Sequence, residues 1–203
     1  FAGTKERYKP IKKETTAKKK THPLKTIKIL CRNKYFILIT LAFAVIYTSL
    51  GLTGGSRIYY AKYVLGDEML NSTMTMFNYI PTILTIMLIP VFTKRFGKIK
   101  ALFVGFLFYA AGLVLEIAGP VNLPMIYTGL VLQGIGHAAL YSCLFAIVGD
   151  VVDYSEWKDG IREEGITYSV TSFGQKIGTG LGTAALGWIL AAGHYDGTAA
   201  VQS

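Results

Sequence analysis

Residues Gly165–Gly193, GITYSVTSFGQKIGTGLGTAALGWILAAG, decide the reading of this chain. The stretch has the length and apolar content of a membrane-crossing helix, and it carries one charged residue, Lys176. At about 1.5 Å per residue, Lys176 lies about 16 Å from the start, close to the midplane of a hydrocarbon core about 30 Å thick. A cation at that depth costs on the order of 2.5–3.5 kcal/mol, and its stem does not easily reach water from there. The helix is therefore expected to turn Lys176 toward a polar interior on a solute path. Pairing with a neighbouring helix for packing alone is the plainer alternative.

Two stripes run along the same helix. Ser169, Ser172, Lys176, Thr179 and Thr183 fall on one face by their spacing of three and four. Gly174, Gly178 and Gly182 recur every four residues on a neighbouring face. Small residues at that interval let two backbones approach, so the glycine face is expected to pack on another helix. The polar face is then left to line a cavity. Three ammonium donors and a row of hydroxyls suit a polyhydroxylated solute or an anionic counter-group.

Outward from this helix, composition agrees with a membrane protein. The chain has 203 residues, 52% of them hydrophobic and only 16% charged. Its net charge of +9 does not indicate nucleic acid, because twelve of the 21 basic residues lie between Lys5 and Lys34. Residues 1–34 are expected to be a solvated, extended cytoplasmic loop, with anionic lipid headgroups as a sharper alternative partner. Cys31 and Cys143 stand far apart and suggest neither a disulfide framework nor a metal site. The opening on Phe1 reads as the interior of a longer protein.

Charge-free runs predict spans at about 35–53, 72–93, 101–119 and 125–148, which with 165–193 make an all-α bundle of five transmembrane helices. Pro81 sits in the second span, where a kink is expected. Residues 54–71, with Gly54, Gly55 and four charges, read as an exposed connection, and Glu116 reads as an interfacial carboxylate. In the fourth span Gln133, His137 and Tyr141 share one face, which must point away from lipid. Residues 149–164 hold six acids and read as a solvated helical turn. Asp150, Asp153 and Glu156 recur every three residues but lack the pattern of a calcium loop, so no metal is expected.

Five spans place the tail and residues 94–100 and 149–164 on one side, with 18 Lys and Arg, against Arg57 and Lys62 on the other. The positive-inside rule puts the first side in the cytoplasm. No nucleophile, metal-hydrolase or phosphate-loop motif occurs, so no catalytic residue is assigned. A membrane-embedded enzyme using His137 or Lys176, and a non-transporting membrane scaffold, stand as the rival readings.

The stretch GDVVDYSEWKDGIREEGITYSVTSFGQKIGTGLG, Gly149–Gly182, resembles the segment joining helices ten and eleven of the glycoside–pentoside–hexuronide:cation symporters, which are of the major facilitator type. FAGTKERYKP resembles their middle cytoplasmic loop, and KRFGK at Lys94–Lys98 resembles their basic turn between helices eight and nine. The resemblance implies the C-terminal half of a twelve-helix transporter, helices seven to eleven without the last. It implies sugar symport coupled to Na⁺ or H⁺ by alternating access, in the cell (inner) membrane, with the N-terminal half of the same transporter as partner. No cofactor beyond the coupling cation is implied, and the main cation ligands would lie in that N-terminal half. Lys176 matches the lysine at the sugar and cation site, and Ser172 matches a hydroxyl one turn before it. Tyr141 matches an aromatic lining the sugar pocket, which is Trp in the family's type member. His137 and Gln133 join the expected substrate-binding set from the face argument alone. Lys94, Arg95 and Lys98 are expected to pair with Asp150, Asp153 and Glu156 as a cytoplasmic gate. Two solvated loops, with surface pairs each contributing about 0–1 kcal/mol, are the alternative.

Overall fold

The computed structural model describes residues 33–159, 164–193 and 195. Five helices make up these residues: α1 Lys34–Tyr59, α2 Leu70–Phe96, α3 Lys98–Ala118, α4 Leu123–Asp159 and α5 Glu164–Ala192. The first four are long and apolar enough to cross a membrane. The fifth has 29 residues and spans about 43 Å, but its Gly, Ser and Thr content leaves it less apolar than the others. The readings of residues 1–32 as a basic cytoplasmic loop, and of Cys31, lie outside the described residues.

Two segments depart from expectation. Residues 54–71 do not form an open connection throughout: α1 runs on to Tyr59 and continues as a π-helical turn, Tyr60–Val64. Gly54 and Gly55 do not break it. Leu186 of α5 fills the space where a Gly55 side chain would stand, its Cδ2 2.6 Å from the Cβ position. The helical run ends before Gly66, whose φ of 75° suits a residue without Cβ. In the second departure, α4 carries through the acidic stretch as far as Asp159. Val148, Val151, Val152 and Ser155 are buried, so the inward face of the helix persists while the acids decorate the outward one.

Helix directions follow from which backbones touch. Gly174, Gly178 and Gly182 of α5 face the carbonyl oxygens of Thr40, Ala44 and Thr48 of α1, both series rising together, so α1 and α5 run parallel. Gly105 and Gly112 of α3 lie against Gly136 and Gly129 of α4, one series rising as the other falls, so these two run antiparallel. On α2, Asn78 donates to the Leu130 carbonyl at 3.1 Å and Thr82 to the Gly134 carbonyl at 3.0 Å, which makes α2 and α4 parallel. The five helices therefore alternate in direction along the chain, as successive crossings of a bilayer require.

Contacts at the two ends agree. At one end Asn33 caps α1 through Tyr35 N and donates to Ser155 Oγ at 3.0 Å, and Lys98 meets Asp150. At the other, the Tyr60 hydroxyl donates to the Pro120 carbonyl and Tyr63 meets Tyr195 at 3.0 Å. The turn between α2 and α3 is the single residue Gly97, with φ of 86°. The most buried element is α4, with Ile126, Leu130, Leu144 and Val148 all essentially sealed. Pro81 and Pro90 both lie within α2, which continues through them.

Candidate functional site

A polar seam crosses the bundle where α1, α3 and α4 meet. It is built from faces repeating every helical turn: Ser49, Thr53 and Arg57 on α1, Tyr109 and Glu116 on α3, and Gln133, His137 and Tyr141 on α4. The hydroxyls of Ser49 and Tyr109 are 3.2 Å apart. Tyr109 packs on His137 with ring centres 4.9 Å apart, and His137 stacks on Tyr141 at 5.6 Å. Tyr141 in turn meets Tyr47 of α1. The row expected from the sequence is thus a physical row, facing the interior.

Arg57 Nη2 donates to Gln133 Oε1 at 3.1 Å. Gln133 is only 1% exposed, and its Nε2 has no hydrogen-bond partner; neither has Nε2 of buried His137. A buried polar atom left unpaired costs about 1–3 kcal/mol, and both atoms are sealed from solvent. Beside Gln133 lies a cavity of about 440 Å³ lined by Thr53, Arg57, Tyr60, Glu116 and Gln133, among others. Arg57 and Glu116 were not expected here. Arg57, which the sequence puts in a connection, and Glu116, which it puts near the end of its span, both line this cavity at the end of the seam. The signal available in the sequence was the turn-by-turn spacing of Ser49, Thr53 and Arg57, which extends α1 beyond its charge-free run.

Lys176 and Ser172 do not join this seam. They line an open recess of about 420 Å³ formed by α5 residues alone, with Tyr168, Ser169 and Phe173. The whole stripe Ser169, Ser172, Lys176, Thr179 and Thr183 is exposed. Lys176 is therefore not turned into the interior of these five helices. The cause is the glycine stripe: α5 presses Gly174, Gly178 and Gly182 onto α1, and no other described helix covers the Lys176 face. Ser169, Thr179 and Thr183 donate to carbonyls one turn back, as exposed helix hydroxyls do.

Of the expected gate residues, Lys98 and Asp150 pair directly, Nζ to Oδ1 at 2.6 Å, and Lys98 also donates to the Ala146 carbonyl at 3.2 Å. Lys94 is exposed, and the Arg95 guanidinium lies 5.6 Å from the centre of its neighbour Phe96 rather than across the interface. Asp153 and Glu156 are exposed on the outward face of α4. No group of three potential metal ligands gathers among the described residues.

The family model for MFS/sugar transport proteins matches residues 1–203, the full sequence. This chain belongs to that family. Among curated members, the isoprimeverose transporter of Lactiplantibacillus pentosus is 32% identical over 198 residues, covering 96% of this chain and 40% of that protein. A putative sulfoquinovose importer of Salmonella typhimurium is 32% identical, covering 89% of this chain and 38% of that protein. A glucuronide carrier protein homolog of Escherichia coli is 28% identical, over 84% and 38% respectively. The chain thus spans about two fifths of the length of these relatives. As an MFS/sugar transport protein with four or more membrane-crossing helices it is a multi-pass membrane protein, and its relatives are named as transporters, importers and carriers, not enzymes. The membrane-embedded enzyme is accordingly set aside.

Proposed function

We propose that this chain is the C-terminal half of a cation-coupled sugar symporter that works by alternating access. Two halves would rock about a site near the bilayer midplane, opening it to one side and then the other. The observation that carries the reading is the uncovered polar face of α5. A lysine and four hydroxyls in one stripe at mid-helix depth are costly against lipid, and the glycine stripe fixes α1 on a different face. The Lys176 face therefore calls for a polar counterpart, and an N-terminal half with its carboxylates would supply it. Sugar would lie between the halves, within reach of Lys176 and Ser172, with Tyr141 offering a ring face from α4. His137 and Gln133 would support that wall from the seam. Na⁺ or H⁺ binding to the carboxylates would loosen their hold on Lys176 and so link the cation to the sugar. The end with Lys98 and Asp150 would face the cytoplasm of a cell whose inner membrane holds the protein.

The test is Lys176→Ala in the full-length transporter, with uptake of radiolabelled isoprimeverose and methyl glucuronide measured in cells and normalised to inserted protein. Uptake of whichever sugar the unmodified protein carries is expected to fall at least tenfold. Unchanged uptake would overturn the reading.

A further inference from the structure

The cavity at the outer end of the seam is separate from the Lys176 face, and its donors and acceptors are partly unspent. Arg57 is a donor only, so its bond fixes Gln133 with Oε1 toward the guanidinium and leaves Nε2 on the side of the Glu116 carboxylate, sealed from solvent. The guanidinium has five N–H donors, and one serves Gln133. Thr53 and Ser56 spend their hydroxyl protons on the carbonyls of Ser49 and Thr53, at 2.8 and 3.1 Å, and keep lone pairs to accept. Glu116 adds a carboxylate acceptor to the same wall. A simple anion would meet Glu116, and a simple cation would meet Arg57. A neutral solute that both donates and accepts at many points meets neither penalty. The volume of about 440 Å³ falls within the range of about 300–1,000 Å³ of small-molecule sites.

We propose that this cavity is a second sugar subsite, lying inside the C-terminal bundle toward its outer end. There Arg57, held in place by Gln133, donates to the oxygens of a polyhydroxylated solute, and Glu116 accepts from its hydroxyls. The inference rests on the sugar-transport reading above and places an additional stop for the same solute on the outward side of the Lys176 face.

Accessibility of a thiol at the cavity wall tests it. In a cysteine-less full-length transporter, Ser56→Cys is labelled from outside with a small membrane-impermeant thiol reagent, with and without millimolar isoprimeverose or methyl glucuronide. Labelling is expected, slowed at least threefold by one of these sugars, and the protection is expected to persist when Lys176→Ala is added. Glu116→Gln and Gln133→Leu, which keep the wall filled, are expected to abolish protection and raise the KM for uptake severalfold with little change in the maximal rate. Absence of labelling, absence of protection, or protection that disappears with Lys176→Ala would each overturn the subsite. The last result would trace protection to the Lys176 face alone. If Lys176→Ala leaves uptake intact, it is the transport reading that fails, whatever the cavity does.

Discussion

At the scale of single residues, charge is placed in two ways. Lys98 and Asp150 form a partly exposed pair, with side chains 38% and 56% accessible. Such a pair contributes about 0–1 kcal/mol to stability, so Asp150→Ala should barely shift unfolding of the purified full-length protein. If the pair acts as a cytoplasmic latch, its effect belongs in transport. Reversing either charge should lower sugar uptake severalfold, and reversing both should recover most of it. Full recovery is not expected, because Asp at position 98 cannot donate to the Ala146 carbonyl as Lys98 does. A double variant as impaired as the singles would show that the pair plays no part in the cycle. Arg57, by contrast, is held inside by the amide of Gln133. Its position was hard to read from the sequence because Gly54–Gly55 signals a break to any rule calibrated on isolated helices. Here Gly55 relieves crowding against Leu186, Gly54 faces open space, and the helix continues. Gln133, His137 and Tyr141 were easier, since a polar row inside a long apolar span has one favourable place to go.

At the scale of elements, α5 shows how the same residue type serves two ends. Gly182 lies against Thr48 O, with Leu52 N 2.8 Å and the Gly51 Cα 3.0 Å from where a Cβ would stand. Nothing lies within 4 Å of the Cβ position at Gly180. Gly182→Val should therefore force α5 off α1 and destabilise the protein by about 1–3 kcal/mol or more, while Gly180→Ala, which meets no atom of α1, should have a much smaller effect. Thermal unfolding of the purified full-length transporter separates them, and equal effects would mean that the stripe does not set the contact. That Gly174, Gly178 and Gly182 face a helix was legible from their spacing. Which helix, and in which direction, was not, because spacing within one helix says nothing of its partner. The continuation of α4 through residues 149–159 was hidden for a related reason: acids signalled solvent on one face while Val148, Val151 and Val152 kept the other buried.

At the scale of the whole molecule, alternation of helix direction puts the Gly97 turn and Asp153 at one end and Gly66 and the 119–122 turn at the other. By the positive-inside rule, the excess of Lys and Arg makes the first end the expected cytoplasmic one. Cysteines introduced at Asp153 and Lys94 should be labelled by an impermeant reagent only in opened vesicles, and those at Asp67 and Val121 in intact cells. The reverse pattern would invert the assignment. The five-helix count was readable because a hydrocarbon core allows few charges and demands complete helices, whereas α1 and α4 run past the ends of their charge-free stretches. The uncovered face of α5 was not readable in that way. Whether a lysine is inside depends on which helices lie beside it, and that is a property of the assembly.

The contact between α1 and α5 has one further consequence. Its notches recur every four residues on both helices, Gly174, Gly178 and Gly182 against Thr40, Ala44 and Thr48. A comb of equal teeth is a poor ruler: sliding one helix by four residues, about 6 Å, brings each of the first two glycines opposite another small residue. Uniqueness must come from a tooth unlike the rest, and Leu186 seated at Gly55 is that tooth. Gly55 thereby acts as the detent of a ratchet. It fixes how far along the bilayer normal Lys176 stands, from a position more than a hundred residues away in sequence on a different helix.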